Sequence, residues 1–429
     1  MVFMARVVIE TYGCTLNQAD SRIMGNILKA NGYEVEYKRY NDREGGADFI
    51  IVNTCTVKTP TENKILYRLG KLRSLGKKLI VAGCLASADK EKVLSVVPEA
   101  SIITTSNVHK IMHVVERAKN GESVAMDKYE RVDKLAYGID NASAIARIPI
   151  SEGCLSNCSF CETRFARGPL NSFSEDLILR AVKNALANGA VEIELTSQDV
   201  GAYGLDRKTN IAELLGRVAE IEGEFRVRVG MLNPEHLHRY FDELIEAYRS
   251  SKVYKFLHLP VQSGSDKVLK EMNRRYTIEE FKGYVDEIRR KLSATIATDI
   301  IVGYPTETDE DFEKSIELVK ELKPEVVNIS KFGARPHAPA SKLPQLDGNI
   351  IKNRSAIFSR IVREIEFRER EKHIGETRRI LITERNKKSF TGRDDFYNEI
   401  AIVGNANIGE FVDVKIIGNS AACLIGERI

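Results

Sequence analysis

The chain has 429 residues, of which 43% are hydrophobic and 29% charged, enough for two or three domains with sizeable cores. Its 64 Lys and Arg against 61 Asp and Glu leave a net charge of +3, which excludes a uniformly basic protein but not a local basic patch. No apolar run approaches the ~18 residues of a membrane helix, and the opening MVFMARVVIE lacks the apolar core and cleavage site of a signal peptide, so no membrane association and a cytoplasmic location are expected.

Residues 1–120 alternate β-rich runs, ARVVIETYG, ADFIIVNT and KKLIVAG, with amphipathic stretches such as ADSRIMGNILKANG and PTENKILYRLGKLRSLG. That alternation predicts a parallel α/β domain. Residues 120–144 are polar and weakly patterned and read as a linker. A second alternating series fills 145–370, with six strand candidates: ARIPISEG, VEIELTSQ, FRVRVGMLN, KFLHLPVQ, ATIATDIIVGYP and EVVNISKF. It predicts a (β/α) barrel, complete or partial. A charged helix, NRSAIFSRIVREIEFREREKH, follows, and in 371–429 the period changes to two, which predicts a small OB-like β-barrel. The fold class expected is therefore α/β with a small all-β module at the end.

The cysteines number seven, an odd count that suits metal binding better than a disulfide framework. Cys154, Cys158 and Cys161 fall inside GCLSNCSFC with the spacing C-x3-C-x2-C. One loop can wrap three such thiolates around a [4Fe–4S] cluster, which takes four ligands, so one iron stays open to a small molecule. A zinc ion with a distant fourth ligand and buried structural cysteines are the other readings. A zinc ribbon would bring a second C-x2-C, and the chain has none. Cys14, Cys55 and Cys84 each close a predicted strand, and the carboxyl ends of parallel strands form the ligand crevice of an open α/β sheet. Three cysteines at that level can converge on a second cluster, with buried small hydrophobes or a redox dithiol as alternatives.

In the last module Arg378, Arg379, Arg385, Lys387, Lys388 and Arg393 are interleaved with Phe390 and Phe396. Such a pattern suits RNA phosphates and unpaired bases, although a run such as ERNKKS is also what a solvated hairpin carries.

These motifs, in this order, resemble the radical S-adenosylmethionine methylthiotransferases over nearly the whole chain. TYGCTLNQADS, NTCTV and AGCLA are similar to the family's N-terminal domain, and GCLSNCSFC to its radical motif. LHLPVQSGSDKVLKEMNRRYT and DIIVGYPTET are similar to its barrel segments, and the ending resembles a TRAM module, a small RNA-binding β-barrel. CETRFARGPL, GAYGLD and VGMLNPEHL resemble the archaeal and eukaryotic branch, which acts on N6-threonylcarbamoyladenosine next to the tRNA anticodon. The chain stops at Ile429 without the membrane tail that eukaryotic members often carry, as an archaeal-type enzyme would.

The resemblance implies two [4Fe–4S] clusters and S-adenosylmethionine as cofactors. Cys154, Cys158 and Cys161 would hold the cluster that cleaves S-adenosylmethionine, and Cys14, Cys55 and Cys84 an auxiliary cluster that carries the sulfur. Phe160 would lie against the cofactor's adenine, while Gln198, Gln262 and Ser263 would supply polar contacts at the strand ends, where barrel sites sit. Arg274, favoured over Arg275 by the match to M-x-R-x-Y-T, would grip the cofactor carboxylate. The partners implied are the tRNA anticodon loop and an electron donor such as ferredoxin or flavodoxin. Two other functions stay open at this point. One is the same chemistry on isopentenyladenosine or a ribosomal-protein aspartate, the other a non-enzymatic iron–sulfur RNA-binding or redox-sensing protein.

Overall fold

A computed structural model describes residues 5–38, 46–57, 59–141, 143–386 and 389–429. Its first unit is a parallel sheet of β1 (Arg6–Thr11), β2 (Glu34–Lys38), β3 (Phe49–Thr54), β4 (Lys78–Gly83), β5 (Ser101–Ile103) and β6 (Ala125–Met126), in the order β2-β1-β3-β4-β5-β6. β3, FIIVNT, is buried at every position because helices cover both faces of the sheet. On one face Val7, Ile9, Ile51 and Ile80 pack against Ile23 and Leu28 of helix Thr15–Ala30 and Val114 of helix Ile111–Lys119. On the other, Val8, Ile50, Val52 and Val81 meet Ile65, Leu69 and Leu72 of helix Thr59–Ser74. The strand order therefore reverses between β1 and β3, with the flanking helices on opposite faces. Such a switch point opens a crevice at the strands' carboxyl ends.

The three runs read from the sequence are β1, β3 and β4, and the sheet has three more strands. One of them, β6, comes from the segment that reads as a linker. That segment also carries Lys134, which is 2% exposed, so it is packed rather than free.

The second unit contains β7 (Ile145–Pro149), the short antiparallel pair β8 (Ser151–Glu152) and β9 (Asn171–Ser172), then β10 (Glu192–Thr196), β11 (Arg226–Val229), β12 (Phe256–His258), β13 (Thr295–Val302) and β14 (Val326–Lys331). β7, β10 and β11 form one parallel sheet and β12, β13 and β14 another. Single bridges, Val227 to Val253 and Met231 to His258, join them into one arc. The six expected strands are all there, and among the described residues β7 and β14 do not pair, so the barrel is partial.

Helix Gly348–Glu371 leads from the barrel to the last unit, bonded on the way to Val327 in β14 through Glu366. The last unit is a closed barrel of β15 (Thr377–Arg385), β16 (Phe390–Arg393), β17 (Glu399–Ile402), β18 (Phe411–Asn419) and β19 (Leu424–Arg428). Alternate residues such as Ile380 and Ile382, Ile400 and Ile402, and Val412, Val414 and Ile416 fill it, as the period of two requires. The turn after β16 docks it. Asp395 accepts from the Lys255 backbone N–H at 2.7 Å and pairs with Arg226 at 3.1 Å, and the Tyr397 hydroxyl donates to Glu192 at 3.3 Å. These partners lie at the amino ends of β10, β11 and β12, opposite the strand ends that carry the cysteine loops. No helix among the described residues is long and apolar enough to cross a membrane.

Candidate functional site

Cys14 follows β1 by three residues, and Cys55 and Cys84 directly follow β3 and β4, so three neighbouring strands deliver three thiols to the switch-point crevice. The amide oxygen of Asn17 accepts from Cys14 Sγ at 3.3 Å and lies 3.9 Å from Cys84 Sγ, which places these two thiols around one atom. Gly13, at φ +106°, lets the chain pass Cys55: a Cβ there would stand 3.1 Å from the Cys55 sulfur. The Val57 N–H points at that same sulfur, at 3.5 Å. Burial first, then the nearby Cys84 thiol, push the Cys55 thiol up to about 11, and burial raises Cys84 as well. Buried thiols so close together stay neutral unless a cation joins them, and a coordinated thiol is deprotonated outright.

The second trio sits on the loop after β8. Gly153, at φ +76°, turns the chain into Cys154, where any Cβ would collide with the Pro169 carbonyl at 2.1 Å. Burial and then Asp199 raise Cys154, and burial and then Cys158 raise Cys161. The Thr163 N–H donates to Cys161 Sγ at 3.3 Å. Ser156, inside the loop, accepts from Asn233 Nδ2 at 2.9 Å and donates to Glu235 at 3.0 Å, which ties the loop to the segment after β11. No three His, Cys, Asp or Glu side chains among the described residues close to the spacing of a single metal ion. A cluster needs its thiolates further apart than one ion does, because each sits on a different iron. Three soft ligands on one loop, with N–H groups directed at sulfur, fit a [4Fe–4S] cluster with an open iron; the upstream trio fits the same kind of group.

Every upstream cysteine loop is bonded to the second unit. Thr15, next to Cys14, shares a 2.5 Å hydrogen bond with Thr196 at the end of β10. Thr56, next to Cys55, donates to Glu162, next to Cys161, at 2.8 Å. Cys84 itself accepts from Arg167 Nε at 3.2 Å. Arg167 is 1% exposed and pairs with Asp20 at 2.9 Å and Glu152 at 3.1 Å, while Lys134 binds the same two carboxylates at 2.9 and 2.7 Å. Two buried cations thus balance two buried anions where the units meet, which is what burial of charge demands. Nothing in the sequence marked Arg167, Glu162, Asn233 or Glu235 individually, although ETRFARG and VGMLNPEHL had stood out as segments.

The remaining sequence-derived residues divide. Phe160 packs against the cluster of Val268, Met272 and Tyr304 beside the cysteine loop. Gln198 follows the end of β10, and its buried Oε1 has no hydrogen-bond partner among the described residues. Gln262 holds φ +74°, a strained conformation for a residue with a side chain and one that clusters at functional sites. Ser263 is wholly buried and accepts from the Ser265 N–H, so it shapes its own turn. Arg274 is 8% exposed and donates to Cys158 Sγ at 3.4 Å, Tyr276 at 2.9 Å and the Pro260 carbonyl at 2.9 Å. Three of its five N–H donors are engaged there, one of them on the cysteine loop. Its neighbour Arg275 is exposed and pairs with Glu235 at 3.7 Å.

In the last unit, Arg378 is bonded to Asp394 and lies over Phe396, and Arg393 donates to Thr383 at 3.0 Å with its guanidinium over Tyr397. Both therefore serve the docking turn, because buried carboxylates and rings hold them there. Arg379 pairs with Glu224 of the central unit at 3.0 Å, and Arg385 lies over Phe390. Lys387 and Lys388 lie outside the described residues.

Residues 6–105 match the Uncharacterized protein family UPF0004, residues 148–319 the Radical SAM superfamily, and residues 371–427 the TRAM domain. The chain is 44% identical over 429 residues to a probable threonylcarbamoyladenosine tRNA methylthiotransferase of Archaeoglobus fulgidus, covering 98% of each chain. It is 34% identical over 438 residues to the human threonylcarbamoyladenosine tRNA methylthiotransferase, covering 99% of this chain and 74% of the human one. Its fold is similar to that of the radical S-adenosylmethionine methyltransferase TsrM from Kitasatospora setae, solved with cobalamin and a [4Fe–4S] cluster bound. There the TM-score is 0.59 at 14% identity, over 79% of this chain and 77% of that one. The chain belongs to the family of threonylcarbamoyladenosine tRNA methylthiotransferases.

Proposed function

We propose that the protein places a methylthio group on carbon-2 of N6-threonylcarbamoyladenosine in the anticodon loop of tRNA, using two [4Fe–4S] clusters and S-adenosylmethionine. The observation that carries this reading is the set of three bonds between the cysteine loops and the second unit, Thr15 to Thr196, Thr56 to Glu162 and Arg167 to Cys84. They join the loops that bear Cys14, Cys55 and Cys84 to the second unit, one of them right beside Cys161, an arrangement that a transfer of sulfur to a substrate radical would use. In this reading Cys154, Cys158 and Cys161 hold a cluster that, when bound, supplies the electron for cleaving S-adenosylmethionine. Cys14, Cys55 and Cys84 hold the group that presents sulfur.

The chain's other residues position and shield. Arg274 fixes Cys158, Ser156 fixes the cysteine loop, and Gln198 and Gln262 offer polar atoms at the strand ends. The buried ion network of Asp20, Lys134, Glu152 and Arg167 keeps water out of the seam between the two trios. A target base in a loop is already unpaired, so turning it into this space costs little. An external one-electron donor, ferredoxin or flavodoxin in kind, completes the scheme.

Mass spectrometry of tRNA nucleosides tests the reading. Cells lacking the gene are expected to lose 2-methylthio-N6-threonylcarbamoyladenosine and to accumulate its unthiolated precursor, and the gene in trans restores it. Persistence of the methylthio nucleoside in the deleted strain would overturn the assignment.

A further inference from the structure

Phe165 and His337 are stacked, with ring centroids 3.6 Å apart and an interplanar angle of 7°. Phe165 is 55% exposed, although it stands four residues after Cys161, in the middle of the short helix Thr163–Arg167. It leaves more than half of its surface in water, while its neighbours in that helix, Ala166 and Arg167, are buried. The stack is held from both cysteine centres. Ala166 packs on Cys84 and Ala88, and the His337 Nε2–H donates to the Ala88 carbonyl at 2.9 Å. The segment bearing His337 is itself pinned to the loop after Cys55. Arg335 pairs with Glu62 at 2.9 Å and donates to the Val57 carbonyl at 3.0 Å.

We infer that the Phe165–His337 stack is a platform for one unpaired base of the substrate RNA, the nucleotide on the 5′ or 3′ side of the modified adenosine. The inference rests on the tRNA reading above and adds the residues that hold the neighbouring nucleotide. Three features select a base as the occupant. The rings are parallel and preorganised, so stacking a third ring on them orders little further. They lie at the seam between the loop of Cys84 and the segment that follows Cys161. Arg164, adjacent to Phe165 and exposed, has no carboxylate at ion-pair distance among the described residues and is available to a phosphate.

The test is equilibrium binding of the full-length reconstituted protein, without reductant, to a stem-loop RNA carrying N6-threonylcarbamoyladenosine in its loop. Parallel RNAs replace the 5′ or the 3′ neighbour of that nucleotide with an abasic site. Phe165→Ala is expected to weaken binding about tenfold, and Phe165→Trp to bind like the parent. One of the abasic RNAs should bind the parent about tenfold more weakly and show no further loss with Phe165→Ala. Iron content equal to the parent's identifies a folded variant; should Phe165→Ala take up less iron, Phe165→Leu, which keeps apolar volume but has no ring face, carries the same comparison. Equal affinity of the parent and the ring-free variant overturns the platform alone, as does an undiminished penalty with both abasic RNAs. A parent protein that does not bind the intact stem-loop overturns the tRNA reading together with the platform.

Discussion

Replacing any one of Cys154, Cys158 and Cys161 with Ala abolishes 5′-deoxyadenosine formation from S-adenosylmethionine, a loss of at least about a thousandfold, or roughly 4 kcal/mol of barrier. The size of the effect follows from ligand arithmetic. The loop supplies three thiols and the remaining position belongs to the small molecule, so no spare ligand can replace a missing one. Nor can the surroundings adapt. The turn at Gly153 is fixed by the Pro169 carbonyl, Ser156 is bonded to Asn233 and Glu235, and Cys158 is held by the buried Arg274. Chromatographic quantification of 5′-deoxyadenosine after reduction with dithionite reads the result directly. Retained cleavage in any of the three variants would remove the open-iron account of this loop.

Cys55→Ala is expected to behave in the opposite way, with cleavage of S-adenosylmethionine near the parent's level and no methylthio product. Cys55 is 5% exposed in the switch-point crevice of the first unit, and its sulfur accepts from the Val57 N–H of that same unit. The bond that joins the two centres at this point runs through the neighbouring Thr56, which the substitution leaves in place. The same incubation, assayed for both 5′-deoxyadenosine and the methylthio nucleoside, separates the two half-reactions. Loss of both activities together would count against a division of labour between the trios.

β3 and β4 were legible because they are buried on both faces and therefore written as near-continuous apolar runs, FIIVNT and KLIVAG, while the six barrel strands were legible as short β-rich segments alternating with helices. β2, EVEYK, is an edge strand whose side chains are half-buried or exposed, and β5 and β6 are three and two residues long, too short to carry a pattern. The cysteines were legible as ligands from their spacing and from their place at strand ends. Which strands adjoin was not, because the switch between β1 and β3 is a property of connectivity. Charge misled most. Lys134 sits in a polar stretch that reads as a linker, yet it is buried because its counter-charges, Asp20 and Glu152, lie 114 and 18 residues away in the chain. Arg378 and Arg393 read as cations directed at RNA, and the fold turns both toward the docking turn for the same reason, since Asp394 and Tyr397 await them. A single sequence carries a charge but not the address of its partner.

Iron and acid-labile sulfide counting after anaerobic reconstitution tests the proposal of two cysteine-held clusters most directly, because it reads the ligand sets before any turnover. The account predicts about eight irons per chain for the parent, and about four in each of two triple variants, one with Cys14, Cys55 and Cys84 replaced by Ala and the other with Cys154, Cys158 and Cys161 replaced. About four irons in the parent, with no further loss when Cys14, Cys55 and Cys84 are replaced, would contradict it.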